Sequence, residues 1–274
     1  MTQIINNKYQ IIDKIGSGSF GSIYKGQNLH TKQYVAVKVE PINEKLKLLK
    51  NESIMYQYLN DCIYVPKIKW FGKDEKNYYM VIDLMSNSLQ DLINKMSRFS
   101  LILILKIGIK IVNIIKTIHE KGIVHRDLKP DNFLFGLNDK KKEIYLIDFG
   151  FCKSYLNNGQ HNKIKQIHNM IGSMNYASIN SHNKLELSRR DDLESIGYML
   201  IYFYYGSLPW NNIDDENKVV MLKKNIIYDE FVPRIIIDFL KYVRILEYEE
   251  KPNYYLIMDN FKREIEILSK NNEK

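Results

Sequence analysis

The sequence predicts an α+β, bilobal chain: a small strand-rich N-lobe over about residues 9–85, a larger helix-rich C-lobe over about 86–268, and a short polar tail at 269–274. Three observations predict it. The 274 residues are many for one compact core and suit two lobes around a cleft. The apolar period is strand-like before about Ser88 and helical after it. Two strings in the rear part, His125-Arg126-Asp127-Leu128-Lys129-Pro130-Asp131-Asn132 and Asp148-Phe149-Gly150, gather carboxylate and amide side chains in the manner of a site.

Residues 9 to 40 read as strands and turns. Tyr34-Val35-Ala36-Val37-Lys38-Val39 is β-rich and is ended by Pro41. Residues 42 to 60 read as a helix, because Leu46, Leu49, Ser53, Tyr56 and Leu59 recur at helical spacing. Lys69 to Phe71 and Tyr78 to Leu84 read as strands around a polar turn, Lys73 to Asn77, and Asp83 to Asn87 would connect the lobes. Leu101 to Lys121 is a long, mostly apolar helix that stops near Gly122. Lys106, Lys110 and Lys116 interrupt it, which argues for a buried helix and against a membrane span. Ser269 to Lys274 is polar and expected to fray, with no regulatory tail after it.

Apolar residues make up 45% of the chain, too many for disorder. Forty Lys and Arg face 32 acids, a net charge of +8. Such a surplus accommodates nucleic acid, an anionic membrane, acidic protein substrates or an ordinary solvated surface, and totals do not separate them. Cys62 and Cys152 are too few and too far apart for a disulfide framework or a zinc site, which fits a reducing compartment, cytoplasmic or nuclear. Cys152 follows Asp148 closely, so it lies either near that site or simply as a packing thiol. The first residues carry no charged-then-apolar signal pattern.

Gly16-Ser17-Gly18-Ser19-Phe20-Gly21 has the G-x-G-x-x-G spacing. A dinucleotide fold would need a helix after the last glycine, and Ser22-Ile23-Tyr24 continues as a strand, so a hairpin over phosphates is favoured. Lys38 stands on an apolar strand and needs an anionic partner: ATP phosphates, with Glu52 on the next helix as the carboxylate that holds it. The alternative is a lysine snorkelling from a strand edge. Asp127 would orient a Ser or Thr hydroxyl for in-line attack, and Lys129 would neutralise charge on the transferred group. Asn132 and Asp148 supply the hard oxygens that Mg2+ prefers. His125 is expected to pack and orient the loop, and Arg126 to pair with the activation segment.

With these strings in order, the chain resembles a eukaryotic protein kinase. Within that superfamily it resembles casein kinase 1, through Tyr176-Ala177-Ser178-Ile179-Asn180, Ser188-Arg189-Arg190-Asp191-Asp192-Leu193-Glu194-Ser195-Ile196-Gly197-Tyr198 and Gly206-Ser207-Leu208-Pro209-Trp210. The similarity runs from about Tyr9 to Phe261, and the run from Arg189 separates it from the vaccinia-related kinases. The resemblance implies ATP-dependent Ser/Thr phosphorylation of proteins by a monomer, with no specific nucleic acid and no membrane span. It implies that Gly16, Ser17, Gly18 and Gly21 cover the phosphates and that Ile15, Ile23 and Ala36 sandwich adenine, with Ile82 at the back. Asp83 and Met85 would offer backbone hydrogen bonds to the purine, and Asp91 would lie near the ribose. Ser173 would touch Asp127 and Lys129, and Asp192 would brace the catalytic loop. No activation-loop phosphate would be needed.

Three departures concern the family's anion site. Asn175 stands in place of an arginine and Asn212 in place of a glycine, and Asp214-Asp215-Glu216-Asn217-Lys218 occupies the region of a basic stretch. Fewer cations and three added acids should weaken dependence on primed or acidic substrates, or reroute it to Lys163 and Lys165. A kinase-shaped binding module would show a degenerate Lys38, Asp127 or Asp148, and none is degenerate. An aminoglycoside or lipid kinase would not carry the three strings above.

Overall fold

The structure is a computed structural model that describes residues 3–18, 21–42 and 48–272. Six strands come first: β1 (Ile4–Ile5), β2 (Tyr9–Gly18), β3 (Gly21–Asn28), β4 (Tyr34–Pro41), then α1 (Leu48–Tyr58), β5 (Ile68–Lys73) and β6 (Asn77–Asp83). Then follow α2 (Leu89–Met96), α3 (Leu101–Glu120), β7 (Ile123–Val124), β8 (Phe133–Phe135), β9 (Ile144–Leu146), β10 (Lys153–Ser154), β11 (Leu156–Asn157) and β12 (Gln160–His161). The chain ends in α4 (Ile179–His182), α5 (Arg189–Tyr205), α6 (Glu216–Asn225), α7 (Arg234–Ile245) and α8 (Tyr254–Asn272). The class is therefore the α+β one expected, a sheet-built front and a helical rear.

Two compact units result, the first reaching to Asn87 and including Phe133–Gly150, the second holding Ser88–Asn132 and everything from Phe151 onward. The division does not follow the chain alone. Residues 133–150 join the first unit because Ser86 donates its N–H to the Phe135 carbonyl, Phe135 returns one to Asn87, and Leu146 donates to Tyr64.

In the first unit the sheet order is β1-β2-β3-β4-β6-β5, antiparallel throughout. Alternation on β4 and β6 turns Val35, Val37, Tyr79 and Val81 to one face, where they close a core with Ile5 and Tyr9. Register shifts between Ile11 and Asp13 and between Lys14 and Gly16 bend β2 as it nears its turn. The polar turn is shorter than expected, because the Asp74 carboxylate accepts the N–H groups of Lys76 and Asn77 at 2.8 and 2.7 Å and closes it tightly. Of the helix expected over 42–60, the described residues show Leu48–Tyr58 as helical, whereas Ile42 donates to the Lys76 carbonyl beside the sheet. Leu46 and its neighbours at 43–47 lie outside the described residues, as do Ser19 and Phe20 in the glycine-rich turn.

In the second unit α3 is buried on most sides, with Ile104, Ile111, Val112, Ile115 and Ile118 wholly enclosed. Its apolar length is thus used inside protein, and no described helix is long and apolar enough to cross a membrane. Helix α5 is also central. Ser188 and Asp191 form a capping box at its start, and Gly206 ends it in the left-handed conformation. The expectation that 269–274 frays is corrected: α8 continues through Asn272, and only 273–274 lie outside the described residues. Buried Tyr254, Ile257, Met258 and Phe261 anchor that helix, and Lys270 near its end suits the helix dipole.

Packing at the middle of α5 requires a glycine. A Cβ on Gly197 would lie 2.3 Å from Leu240 Cδ2, on a leucine that is itself fully buried. Gly197→Ala is therefore expected to destabilise the protein by ~1–3 kcal/mol, read as a lowered melting temperature by circular dichroism.

Candidate active site

The first unit holds the nucleotide-facing half of the expected site. Gly18 and Gly21 pair across the β2–β3 hairpin. Gly21 is required by the fold, since a Cβ there would overlap the Val39 carbonyl oxygen at 2.1 Å. Gly16 is different: among the described residues a Cβ would meet only Ile23, at 3.9 Å, so none of them demands a glycine there. Ile15 on the same hairpin is 51% exposed, while Ala36 on β4 is buried. Asp83 has spent its N–H on the Lys67 carbonyl, so any purine contact falls to its C=O; Met85 and Ile82 are half-buried.

Lys38 lies opposite Ile23 on the sheet. Its ammonium is 2.7 Å from Glu52 Oε2 and 3.3 Å from Asp148 Oδ1. Burial works against this charge, but the two carboxylates more than offset it and hold the proton above the usual lysine range. Two acids thus share one base. Glu52 is the more buried acid, and desolvation pushes its carboxyl up to about 7 although Lys38 pulls it down. Asp148 sits at φ +65°, a strained conformation for an aspartate. The turn is held by Phe149, whose ring meets Tyr56 of α1 edge-on at 5.0 Å, and by the Tyr56 hydroxyl facing the Asp148 N–H at 3.4 Å.

The second unit brings together the residues expected to meet an acceptor hydroxyl. Ser173 donates both its N–H, at 2.8 Å, and its hydroxyl, at 2.7 Å, to Asp127 Oδ1. Lys129 Nζ lies 3.0 Å from Asp127 Oδ2 and 3.2 Å from Ser173 Oγ. Asn132 Nδ2 donates to the Asp127 carbonyl at 2.9 Å, which commits the nitrogen to the loop and makes the amide oxygen the atom that could hold a cation. Asp91 is used differently from expectation: its Oδ2 accepts from Ser88 N–H and hydroxyl in the cap of α2, leaving one oxygen for other use.

The loop has a buried support. Asp192 accepts the N–H groups of His125 and Arg126 at 2.7 and 2.8 Å and faces His119 Nε2 at 2.9 Å. Burial disfavours its charge, yet the His119 bond and the backbone donors outweigh that and lower its pKa. Arg126 is held at φ +71°. Its guanidinium donates to the Phe151 carbonyl at 2.7 Å and lies 3.6 Å from Glu186. Lys153 and Lys165 also face Glu186, at 2.8 and 3.9 Å. Cys152 directs its thiol to the His125 carbonyl at 3.7 Å.

Sequence reasoning missed Gly172 and Glu186. Gly172 holds φ +92°, and a Cβ there would strike the Arg126 carbonyl at 2.5 Å, so it lets Ser173 approach Asp127. The Gly-Ser pair was visible; Glu186, in Leu185-Glu186-Leu187, reads as an ordinary acid.

A family model for the protein kinase domain matches residues 9–251, and the chain belongs to that family. Kinase and transferase activity, ATP as the phosphoryl donor and proteins as acceptors follow from that membership.

The Glu52 shift has a pH signature. Its folded-state pKa stands above its ordinary value, so its favourable contribution is complete below the ordinary value and is lost as pH rises through about 7. Wild type should lose ~1–3 kcal/mol of stability relative to Glu52→Gln between pH 5 and pH 8, measured by denaturant titration at both pH values.

Proposed function

We propose that the chain is an active, monomeric Ser/Thr protein kinase of casein kinase 1-like type, its domain spanning 9–268, with an altered anion-recognition site. The Ser173–Asp127–Lys129 triangle carries the reading. It already places one alkyl hydroxyl on the carboxylate with an ammonium beside it, the arrangement a substrate Ser or Thr would join. Asp127 orients that hydroxyl and Lys129 offsets charge on the phosphoryl group. The substrate oxygen bonds to the γ-phosphorus, the bridge to the β-phosphate breaks, the hydroxyl proton is released, and ADP leaves.

In this reading Gly16, Ser17, Gly18 and Gly21 cover the phosphates. The unforced glycine at 16 supports that, since ligand approach explains what packing does not. Ile15, Ile23 and Ala36 enclose adenine, Asp83 and Met85 meet its polar edge, and the remaining Asp91 oxygen serves the ribose. Lys38, kept charged by Glu52, receives the phosphates. Among the described residues no group of three or more His, Cys, Asp or Glu is arranged for a metal ion. Asp148 offers a carboxylate and Asn132 an amide oxygen, each a hard donor that would suit Mg2+. When bound, the ion neutralises phosphate charge.

Activation by a loop phosphate is unnecessary in this reading, because the Glu186 carboxylate already pairs with Arg126, Lys153 and Lys165. Reduced reliance on primed substrates rests mainly on Asn175. Of the three acids at 214–216, Asp215 caps α6 and Glu216 faces His182, so Asp214 is the acid without such a duty in the bonds described. Asn212 adopts φ +60°, the conformation a glycine would supply.

Incubation with Mg2+ and ATP should label protein on Ser or Thr and not on Tyr, and Asp127→Asn and Asp148→Asn should each lower the rate at least ~100-fold. Equal labelling by wild type and Asp148→Asn would remove the enzymatic reading. Phosphatase treatment should leave activity intact, and a primed peptide should be preferred over its unphosphorylated twin by less than ~10-fold in kcat/KM; loss of activity or a large primed preference would refute these two refinements.

A further inference from the structure

Helix α6 directs Lys223 inward, and the side chain is fully buried. A buried ammonium is costly unless every N–H is met. Here three acceptors face three donors: the Met174 carbonyl at 2.6 Å, the Ala177 carbonyl at 2.7 Å and His182 Nε2 at 3.0 Å. For His182 Nε2 to accept, its proton must sit on Nδ1, and Nδ1 faces Glu216 Oε1 at 2.9 Å. The rings of Tyr198 and Trp210 lie 4.8 and 5.5 Å from the ammonium. A chain of bonds thus runs from partly exposed Glu216 through His182 and Lys223 to the backbone of residues 174–177.

That backbone is the segment that follows Ser173. Its turn is closed by Tyr176 and Ala177 N–H groups on the Ser173 carbonyl, and Trp210 Nε1 takes the Asn175 carbonyl at 2.8 Å. One end of the loop is therefore fixed to Asp127 through Ser173, and its carbonyls are fixed through Lys223 and Trp210. We infer that Lys223 is a positioning residue for the acceptor substrate, holding the 173–177 loop where residues flanking the target hydroxyl must lie, with His182 and Glu216 holding Lys223 in turn. This rests on the kinase reading above. A methionine would fill the same space with no charge to desolvate, but it would abandon three acceptors.

Charge state tunes the anchor. Burial pushes the Lys223 ammonium down to about 7; Glu194 of α5 and Glu216 oppose that and Arg244 of α7 adds to it. Tyr198 of α5 also faces the cluster, with its hydroxyl proton held tightly by burial. His182 of α4 has a lowered pKa through burial and Lys223, so it is neutral through this range. Protonated Lys223 satisfies all three acceptors. The neutral amine has two N–H groups and a lone pair, so one anchor is lost as pH rises through about 7.

Steady-state kinetics with Mg–ATP and an unstructured serine peptide test this in wild type, Lys223→Met and Glu216→Gln. Lys223→Met should lower kcat/KM for peptide by ~10–100-fold and Glu216→Gln by ~3–10-fold, with KM for ATP within ~2-fold of wild type in both. Wild-type kcat/KM for peptide should fall as pH rises through about 7, and that fall should be absent in Lys223→Met. Unchanged peptide kinetics in both variants, or peptide and ATP parameters lost in proportion, overturn the inference. If Lys223→Met does not fold, Glu216→Gln at the exposed end decides alone. Wild type that phosphorylates no peptide or protein sinks the kinase reading and this inference together, whereas active wild type with unaffected variants sinks the inference only.

Discussion

The catalytic loop stands on one buried carboxylate. Asp192 gives its two oxygens to the N–H groups of His125 and Arg126 and to the His119 ring. Those bonds hold Arg126 in a left-handed conformation that a long side chain avoids, and the next residue is Asp127. His119 has a pKa lowered by burial, so it is neutral and donates from Nε2 to Asp192 while Nδ1 accepts from the Tyr254 hydroxyl at 2.7 Å. The loop is thereby tied to α3, α5 and α8 at once. Without Asp192 two backbone donors and an imidazole N–H would lose their acceptor, a cost of several kcal/mol concentrated on the 125–127 loop.

Charge is handled alike in both units, by placing it inside and pairing it, although Glu40 Oε1, Arg189 Nε and Arg190 Nε are buried without a hydrogen-bond partner. In the first, Lys38 stands between Glu52 and Asp148, and burial raises the Glu52 carboxyl, so that Glu52 is disfavoured as a bearer of negative charge. In the second, Asp191 accepts from Ser178, Asn180 and Ser188, and Glu194 from Tyr198 and Arg244. Such groups add little net stability compared with apolar replacements. What they contribute is a fixed geometry, since a satisfied polar network has one arrangement and a greasy contact has many.

How much of this was legible in the sequence depended on whether a residue's role is local. The strand around Lys38, the helix from Leu101 and the hairpin at Gly16–Gly21 announce themselves through period and turn chemistry. The loop of 125–132 does so because its residues act within a few positions of one another. Ile42, expected as helical, bonds instead to Lys76, a partner that no local pattern reveals. The tail was read as frayed from its polarity, yet α8 needs only its buried stripe at 254–261 to be held, and its polar end continues the helix into solvent. Lys223 was invisible for the same reason: Lys223-Lys224 at the end of a helix reads as a solvated terminus, and only the fold shows that the first of the pair points inward.

Glu186 shows why such hidden acids matter. An activation segment must be ordered by pairing its cations, and an added phosphate is one way to supply the anion. Here the carboxylate is part of the chain, nearly buried, and met by Arg126, Lys153 and Lys165. A phosphate brings about twice the charge and three oxygens, but it must be attached and can be removed. A carboxylate anchored beside α5 brings less charge with no such dependence, and low exposure compensates by weakening the screening of each pair. The same economy places Glu216 beneath the acceptor loop through His182 and Lys223. Both ends of the segment from Phe151 to Ala177 are thus ordered by acids that the sequence itself supplies.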